Sequence, residues 1–165
     1  MKRLLIAFFI LFYFQGLAQK ISIIKIGDLE QRITNGSDTT YIINFWATWC
    51  APCVKELPGF DSITKSHSSD KVKVLLISMD FKEDLETKVI PFCIKKKLRS
   101  EVYLLDEVNG NYFIPKISEK WTGAIPGTLI LNNQKAYREF YEKKLSYGFL
   151  RAEIEKITLI KDQKK

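Results

Sequence analysis

The sequence predicts one α/β domain, a mixed central β-sheet flanked by helices in the order βαβαβ followed by ββα, and three observations carry that prediction. Tyr41-Ile42-Ile43-Asn44-Phe45-Trp46-Ala47 and the run from Val72 to Ile77 have the nearly continuous apolar, strand-forming composition of strands covered on both faces. Between them Val54, Leu57, Phe60 and Ile63 recur at threes, so a helix joins the two strands as a right-handed parallel βαβ unit. Further on, Thr128 to Leu131 and Ala136 to Tyr141 are separated by Asn132-Asn133-Gln134, which signals a hairpin and adds antiparallel strands.

The remaining elements follow in chain order. Lys2 and Arg3 precede an unbroken apolar run of eleven residues, Leu4 to Phe14, and Gly16-Leu17-Ala18 supplies small residues where a signal peptidase reads. Eleven residues span only about 16 Å as a helix, short of the ~30 Å hydrocarbon core. Residues 1–18 therefore read as an export signal, with a retained membrane anchor as the alternative, followed by a domain over 19–160 and a tail over 161–165. Ile21 to Ile26 is a first strand, rich in β-branched residues. Asp28, with Gln31 three residues on, resembles a capping box opening a short helix to about Ile33. Asn35-Gly36-Ser37-Asp38 is a loop, and its first three residues also fit a glycosylation acceptor. Residues 82–98 are helical in pattern, but Pro91 ends one helix near Val89 or starts a second. Glu101 to Leu105 is a short strand, 111–121 a loop and short helix, and Ser146 to Leu159 an amphipathic helix with Phe149, Leu150, Ile154 and Ile157 on its apolar side.

Composition removes several classes of protein. The 165 residues, 46% hydrophobic and 27% charged, suit one packed domain and exclude a multidomain enzyme or a disordered chain. Three cysteines are too few for a disulfide-built scaffold. The net charge of +7 falls to +5 over 147 residues once the first eighteen are removed, since those hold Lys2 and Arg3 and no acid. The lysines are scattered, and Lys95-Lys96-Lys97 lies in a helix without a glycine-rich loop or stacking aromatics, which argues against nucleic acid.

Chemistry concentrates in Trp46-Ala47-Thr48-Trp49-Cys50-Ala51-Pro52-Cys53. Two cysteines at this spacing fit a redox pair, a structural disulfide or half of a metal site. Here they fall where a buried strand turns into a helix. Unpaired N–H groups and the positive end of the helix dipole would stabilise a thiolate on Cys50, below the free value of roughly 8.5. Cys53, inside the first turn, is more shielded, so Cys50 attacks a substrate disulfide and Cys53 resolves the mixed disulfide. Pro52 suits a first turn, where its missing N–H costs nothing. Zinc would need Cys93 and His67 as further ligands, but His67 is the sole histidine, lies in a Ser-rich turn, and no second ligand pair exists. A structural disulfide between such near neighbours closes little chain entropy. The expectation is redox chemistry with no metal and no cofactor. Cys93, four residues after Val89 and eight after Leu85, sits on an apolar stripe as a buried thiol, with a regulatory or intermolecular thiol as the alternative.

This segment, with Ala124-Ile125-Pro126-Gly127-Thr128 some seventy residues later, closely resembles the thioredoxin superfamily. From Asn44 to Pro58 it looks most like the exported disulfide reductases of the TlpA/ResA type, and the likeness runs from about residue 21 to 159. The resemblance implies a thioredoxin fold and a protein-disulfide reductase acting as a monomer in a bacterial periplasm. It also implies a membrane thiol-reductant as electron donor and a place in cytochrome c maturation. Position by position, Pro126 becomes a cis-proline packed against the cysteine pair, turning the Ile125 backbone toward a substrate chain that pairs with it like an added strand. An ordinary trans proline at the head of a strand is the alternative. Trp49 flanks the reactive sulfur as an apolar docking surface, or simply packs, and Ala51 and Pro52 complete the substrate-facing turn. Asn44 occupies the place of a buried aspartate in typical thioredoxins, and an amide cannot titrate. Glu56 matches the active-site glutamate of the TlpA/ResA type, a partly desolvated carboxylate of raised pKa, against the plain alternative of an exposed helix residue. The front end departs from that type: it lacks an initial hairpin and an Ala-Pro-x-Phe segment, and resembles plain thioredoxin more.

Three other functions fit such a chain. An oxidant or isomerase would share the cysteine pair, but strongly oxidising relatives carry a histidine between the cysteines where this chain has Ala51-Pro52. A peroxide-reducing enzyme needs a threonine three residues before its nucleophile, where Ala47 stands. A non-catalytic binding module would use the pair only as a lock.

Overall fold

The computed structural model describes residues 20–35, 38–67 and 71–160. The expected export signal and the tail lie outside the described residues, as does part of the Asn35-Gly36-Ser37 loop. Strands and helices alternate as β1 (Ser22–Ile24), α1 (Ile26–Thr34), β2 (Thr40–Trp46), α2 (Ala51–Ser66), β3 (Val72–Ser78), α3 (Ile90–Lys96), β4 (Glu101–Leu105), α4 (Gly110–Ile117), β5 (Gly127–Asn132), β6 (Tyr137–Tyr141) and α5 (Tyr147–Leu159). The strands form one mixed sheet in the order β1-β4-β3-β2-β5-β6. β1 to β4 run parallel, while β5 and β6 are antiparallel to their neighbours.

All seven residues of β2 are buried, because helices cover both faces of the sheet. Side chains of a strand alternate between faces. Ile42 and Trp46 therefore join Leu57, Phe60 and Ile63 of α2 and Leu150, Ile154 and Ile157 of α5 in one core layer. Tyr41, Ile43 and Phe45 pack in the other, against Ile26, Leu29 and Ile33 of α1 and Phe113 and Ile117 of α4. Each fully buried side chain of this size stabilises the fold by about 1.5–3 kcal/mol. Asn44 shares the parity of Ile42 and Trp46, so the pleat aims a polar amide at α2.

Several local expectations shift. The first strand is Ser22–Ile24, shorter than Ile21–Ile26, because Ile26 already belongs to α1 and is buried with Leu29 and Ile33. The capping box also sits one turn earlier. Asp28 is not its first member: its carboxylate accepts from the Lys25 backbone N–H at 2.8 Å. Residues 82–96 wind as a tight turn over Lys82–Asp84, a wide turn over Leu85–Val89, and then α3 with Pro91 in its first turn. There the missing proline N–H breaks no helical bond. In the hairpin the turn is Asn133 to Ala136. Ala136 adopts a left-handed φ of 49° instead of opening β6, and Asn132 Oδ1 accepts from the Lys135 N–H at 3.1 Å. α2 is continuous from Ala51 to Ser66 through Pro58-Gly59. Gly59 faces the start of α5, where a Cβ would meet the Tyr147 nitrogen at 3.4 Å, an ordinary contact.

Candidate active site

The site forms at the end of β2, where the chain leaves the sheet for α2. Two contacts hold this corner. Met79 N–H donates to the Trp46 carbonyl at 2.7 Å, continuing the parallel register in which Trp46 faces Ser78. Asp80, buried just beyond β3, accepts from Thr48 N–H at 2.9 Å, from Thr48 Oγ1 at 2.5 Å and from Ser78 Oγ at 2.7 Å. A buried carboxylate with three donors is satisfied, and it pins the loop that carries Trp49.

Cys50 is the N-cap of α2 and forms a disulfide with Cys53. Its sulfur accepts from the Cys53 N–H at 3.4 Å, so one of the unpaired donors of the helix start already points at it. Cys53 is wholly buried, whereas Trp49, Ala51 and Pro52 are exposed, Trp49 at 65%. The Ile125–Pro126 peptide is cis, Pro126 is buried, and the Ile125 carbonyl oxygen stands 3.8 Å from Cys50 Sγ. One nucleophile-sized atom thus lies between a helix N-terminus and a turn of main chain, with an exposed indole beside it in sequence. Ala47, three residues before Cys50, is buried without a hydroxyl to offer.

Glu56 lies one turn beyond Cys53 on the same face of α2 and is only 4% exposed, so it is not a surface helix residue. Its Oε1 accepts from Asn44 Nδ2 at 2.8 Å and its Oε2 from the Leu145 N–H at 2.7 Å. Burial pushes this carboxyl above the usual glutamate range, while the Leu145 N–H, the Asn44 amide and the charge of Lys144 pull it partly back. Since the protonated form gains on folding, the stability Glu56 contributes is full below the unfolded-state pKa and fades as pH rises through the folded value. Asn44 Nδ2 also donates to Thr128 Oγ1 at 3.0 Å, across the strand pair in which Asn44 faces Thr128.

The third cysteine is inert. Cys93 is buried on α3, and burial together with the negative charge of Asp80 pushes its thiol up to about 12. It stays protonated at neutral pH. His67 closes the far end of α2, seventeen residues and about 25 Å along the helix from Cys50, so the zinc alternative has no geometry. Sequence reasoning did not single out Asp80, Thr48, Thr128 or the Leu145 N–H. Only the helical spacing of Cys53, Glu56, Leu57 and Phe60 was available as a signal, and it places Glu56 on the buried stripe.

A CxxC disulfide at a helix start, beside a cis-proline turn and a mixed sheet covered on both faces, defines the thioredoxin superfamily as the class of this protein. Within it, the chain matches the AhpC/TSA family over residues 15–139 and belongs to that family. Sporulation thiol-disulfide oxidoreductase A of Bacillus subtilis (strain 168) is 38% identical over 63 residues, 38% of each chain. Thiol-disulfide oxidoreductase ResA of Oceanobacillus iheyensis is 26% identical over 124 residues, 70% of this chain and 60% of that one. The chain thus spans less than two thirds of the length of either relative. The crystal structure of a thioredoxin-related protein from Neisseria meningitidis serogroup B superposes with a TM-score of 0.65 at 20% identity, covering 76% of this chain and 90% of the other, and shares the thioredoxin fold.

Proposed function

We propose that this chain is an exported thiol-disulfide oxidoreductase that reduces protein disulfides, with Cys50 as the nucleophile and Cys53 as the resolving thiol. The observation that carries the reading is the asymmetry of the pair: Cys50 Sγ caps α2 and stands 3.8 Å from the Ile125 carbonyl, whereas Cys53 lies inside the first turn and, at 0% against 5% for Cys50, is the more deeply buried of two buried residues. The Cys50 thiolate attacks one sulfur of a substrate disulfide, forming a mixed disulfide and releasing the other sulfur as a thiolate. Cys53 then loses its proton and attacks Cys50 Sγ, which expels the second substrate thiolate and leaves the Cys50–Cys53 disulfide. Two electrons pass to the substrate, and no cofactor is needed. The substrate chain lies along the Ile125–Pro126 turn and against Trp49, Ala51 and Pro52.

Among the described residues no helix is long and apolar enough to cross a membrane. The location rests on the Lys2-Arg3 and Leu4–Phe14 pattern, which supports export, and the periplasm is the compartment we propose. There a membrane thiol carrier re-reduces it, and exported apocytochrome c is a substrate of the right kind. The direction of transfer is a matter of potential. Ala51-Pro52 brings no cation to hold the Cys50 thiolate, so the reduced form gains little and the pair is reducing. Equilibration with glutathione and dithiothreitol buffers should give a potential nearer the roughly −270 mV of thioredoxin than the roughly −120 mV of strong oxidants. A value above about −180 mV would reverse the direction.

A further inference from the structure

The buried Asn44 amide carries its two ends very unequally. Nδ2 donates both to Glu56 Oε1 and to Thr128 Oγ1, while Oδ1, equally buried, has no partner among the described residues. Glu56 in turn meets donors only: the amide of Asn44 from β2 and the Leu145 N–H from the segment before α5. The charged neighbour acting on it is Lys144, and Cys53 precedes it by one turn on the buried stripe of α2. This arrangement suits a carboxylate and has no place for a carboxylic acid, whose O–H would point at a donor.

We propose that Asn44 is a positioning residue whose amide turns over when Glu56 takes up a proton, so that Oδ1 accepts the Glu56 O–H. The Leu145 N–H is main chain and cannot turn, whereas an amide group is nearly the same shape after a half-turn about Cβ–Cγ. Thr128 follows at no loss, because its hydroxyl accepts from Nδ2 in one arrangement and donates to Oδ1 in the other. The amide keeps one unbonded end either way, and the proton on Glu56 selects which. This rests on the proposed reduction reaction, where it supplies the resolving step. As Cys53 is deprotonated its proton moves to the Glu56 carboxylate, Asn44 turns to hold it, and the proton passes to solvent once the Cys50–Cys53 bond has closed. A buried amide that cannot itself titrate would thus let a buried acid do so.

The test uses the oxidised protein labelled with [13C]Glu and [15N]Asn. As pH falls, the nuclear Overhauser contacts from the Asn44 amide protons to the Thr128 methyl should be lost with the same midpoint as the Glu56 carboxyl signal. Glu56→Gln imitates the protonated acid, with its oxygen on the Leu145 N–H and its NH2 on Asn44 Oδ1. In that variant the contacts should be absent already at pH 7. Asn44→Leu removes a donor from the carboxylate and should raise the Glu56 midpoint by about one pH unit or more. The proposal is overturned if the contacts persist in acid and in Glu56→Gln, or if Glu56 stays ionised throughout the folded range. These measurements need no substrate, so their failure would leave the oxidoreductase reading standing, and a failure of turnover would leave them unaffected.

Discussion

Replacing Cys53 by serine is expected to stop multiple turnover and to leave covalent complexes in its place. The attacking half of the site survives the change, because the group that contacts Cys50 Sγ is the backbone N–H of residue 53, at 3.4 Å, and Pro52 and the cis Ile125–Pro126 turn are untouched. Attack on a substrate disulfide therefore proceeds. A hydroxyl, far less acidic than a thiol, cannot release the mixed disulfide, and turnover should fall by about three orders of magnitude or more. Non-reducing electrophoresis after incubation with a protein disulfide should show higher-mass bands that dithiothreitol removes. The bands should vanish in a Cys50→Ser/Cys53→Ser double variant. Undiminished turnover in Cys53→Ser would mean that the buried sulfur resolves nothing.

The second large effect falls on stability. Asp80→Ala leaves the Thr48 N–H and the Thr48 and Ser78 hydroxyls without their common acceptor in a buried corner. Buried donors stripped of a charged partner cost about 1.5–3 kcal/mol in the first instance, and the loss of several makes about 2–4 kcal/mol the expected destabilisation. A urea midpoint shift at unchanged slope would measure it. The Trp49 turn, no longer tied to the end of β3, should also lose roughly tenfold in kcat/KM on a protein disulfide. Because the Asp80 charge helps push the Cys93 thiol up, its removal should lower that pKa and speed Cys93 alkylation at alkaline pH. A stable Asp80→Ala variant with unchanged Cys93 labelling would contradict this picture of the corner.

The contrast between these two residues shows what a sequence can carry. The cysteine pair is legible because its chemistry is local: two sulfurs three residues apart, at the junction of an apolar strand and a periodic helix, define their own geometry. β2, α2, the hairpin strands and α5 are legible for the same reason, each having a period or composition that only one kind of element satisfies. Asp80 is different. Its role depends on the parallel register that sets Trp46 opposite Ser78, a pairing across thirty-two residues that no local pattern encodes. The Leu145 N–H at Glu56 is less visible still, being main chain delivered from 89 positions away. Local conflicts also moved boundaries. Ile26 reads as strand by its β-branch, but its burial with Leu29 and Ile33 makes it the first residue of a helix. The wide turn at Leu85–Val89 has no signature in composition at all.

The burial of Glu56 lies between these cases. Its neighbours Cys53, Leu57, Phe60 and Ile63 are all buried on α2, so helical spacing puts it inside. Its charge argues that it should be outside, and the partners that reconcile the two, Asn44 from β2 and Leu145 from the turn before α5, become visible only in the folded chain.

The account stands most directly on insulin reduction by the wild-type protein and by Cys50→Ser, with dithiothreitol as electron source. Wild type should precipitate the insulin B chain well ahead of the uncatalysed reaction, and Cys50→Ser should fall to the background rate. Equal rates for the two proteins would contradict a catalytic dithiol at Cys50 and leave the disulfide as a lock on a binding surface.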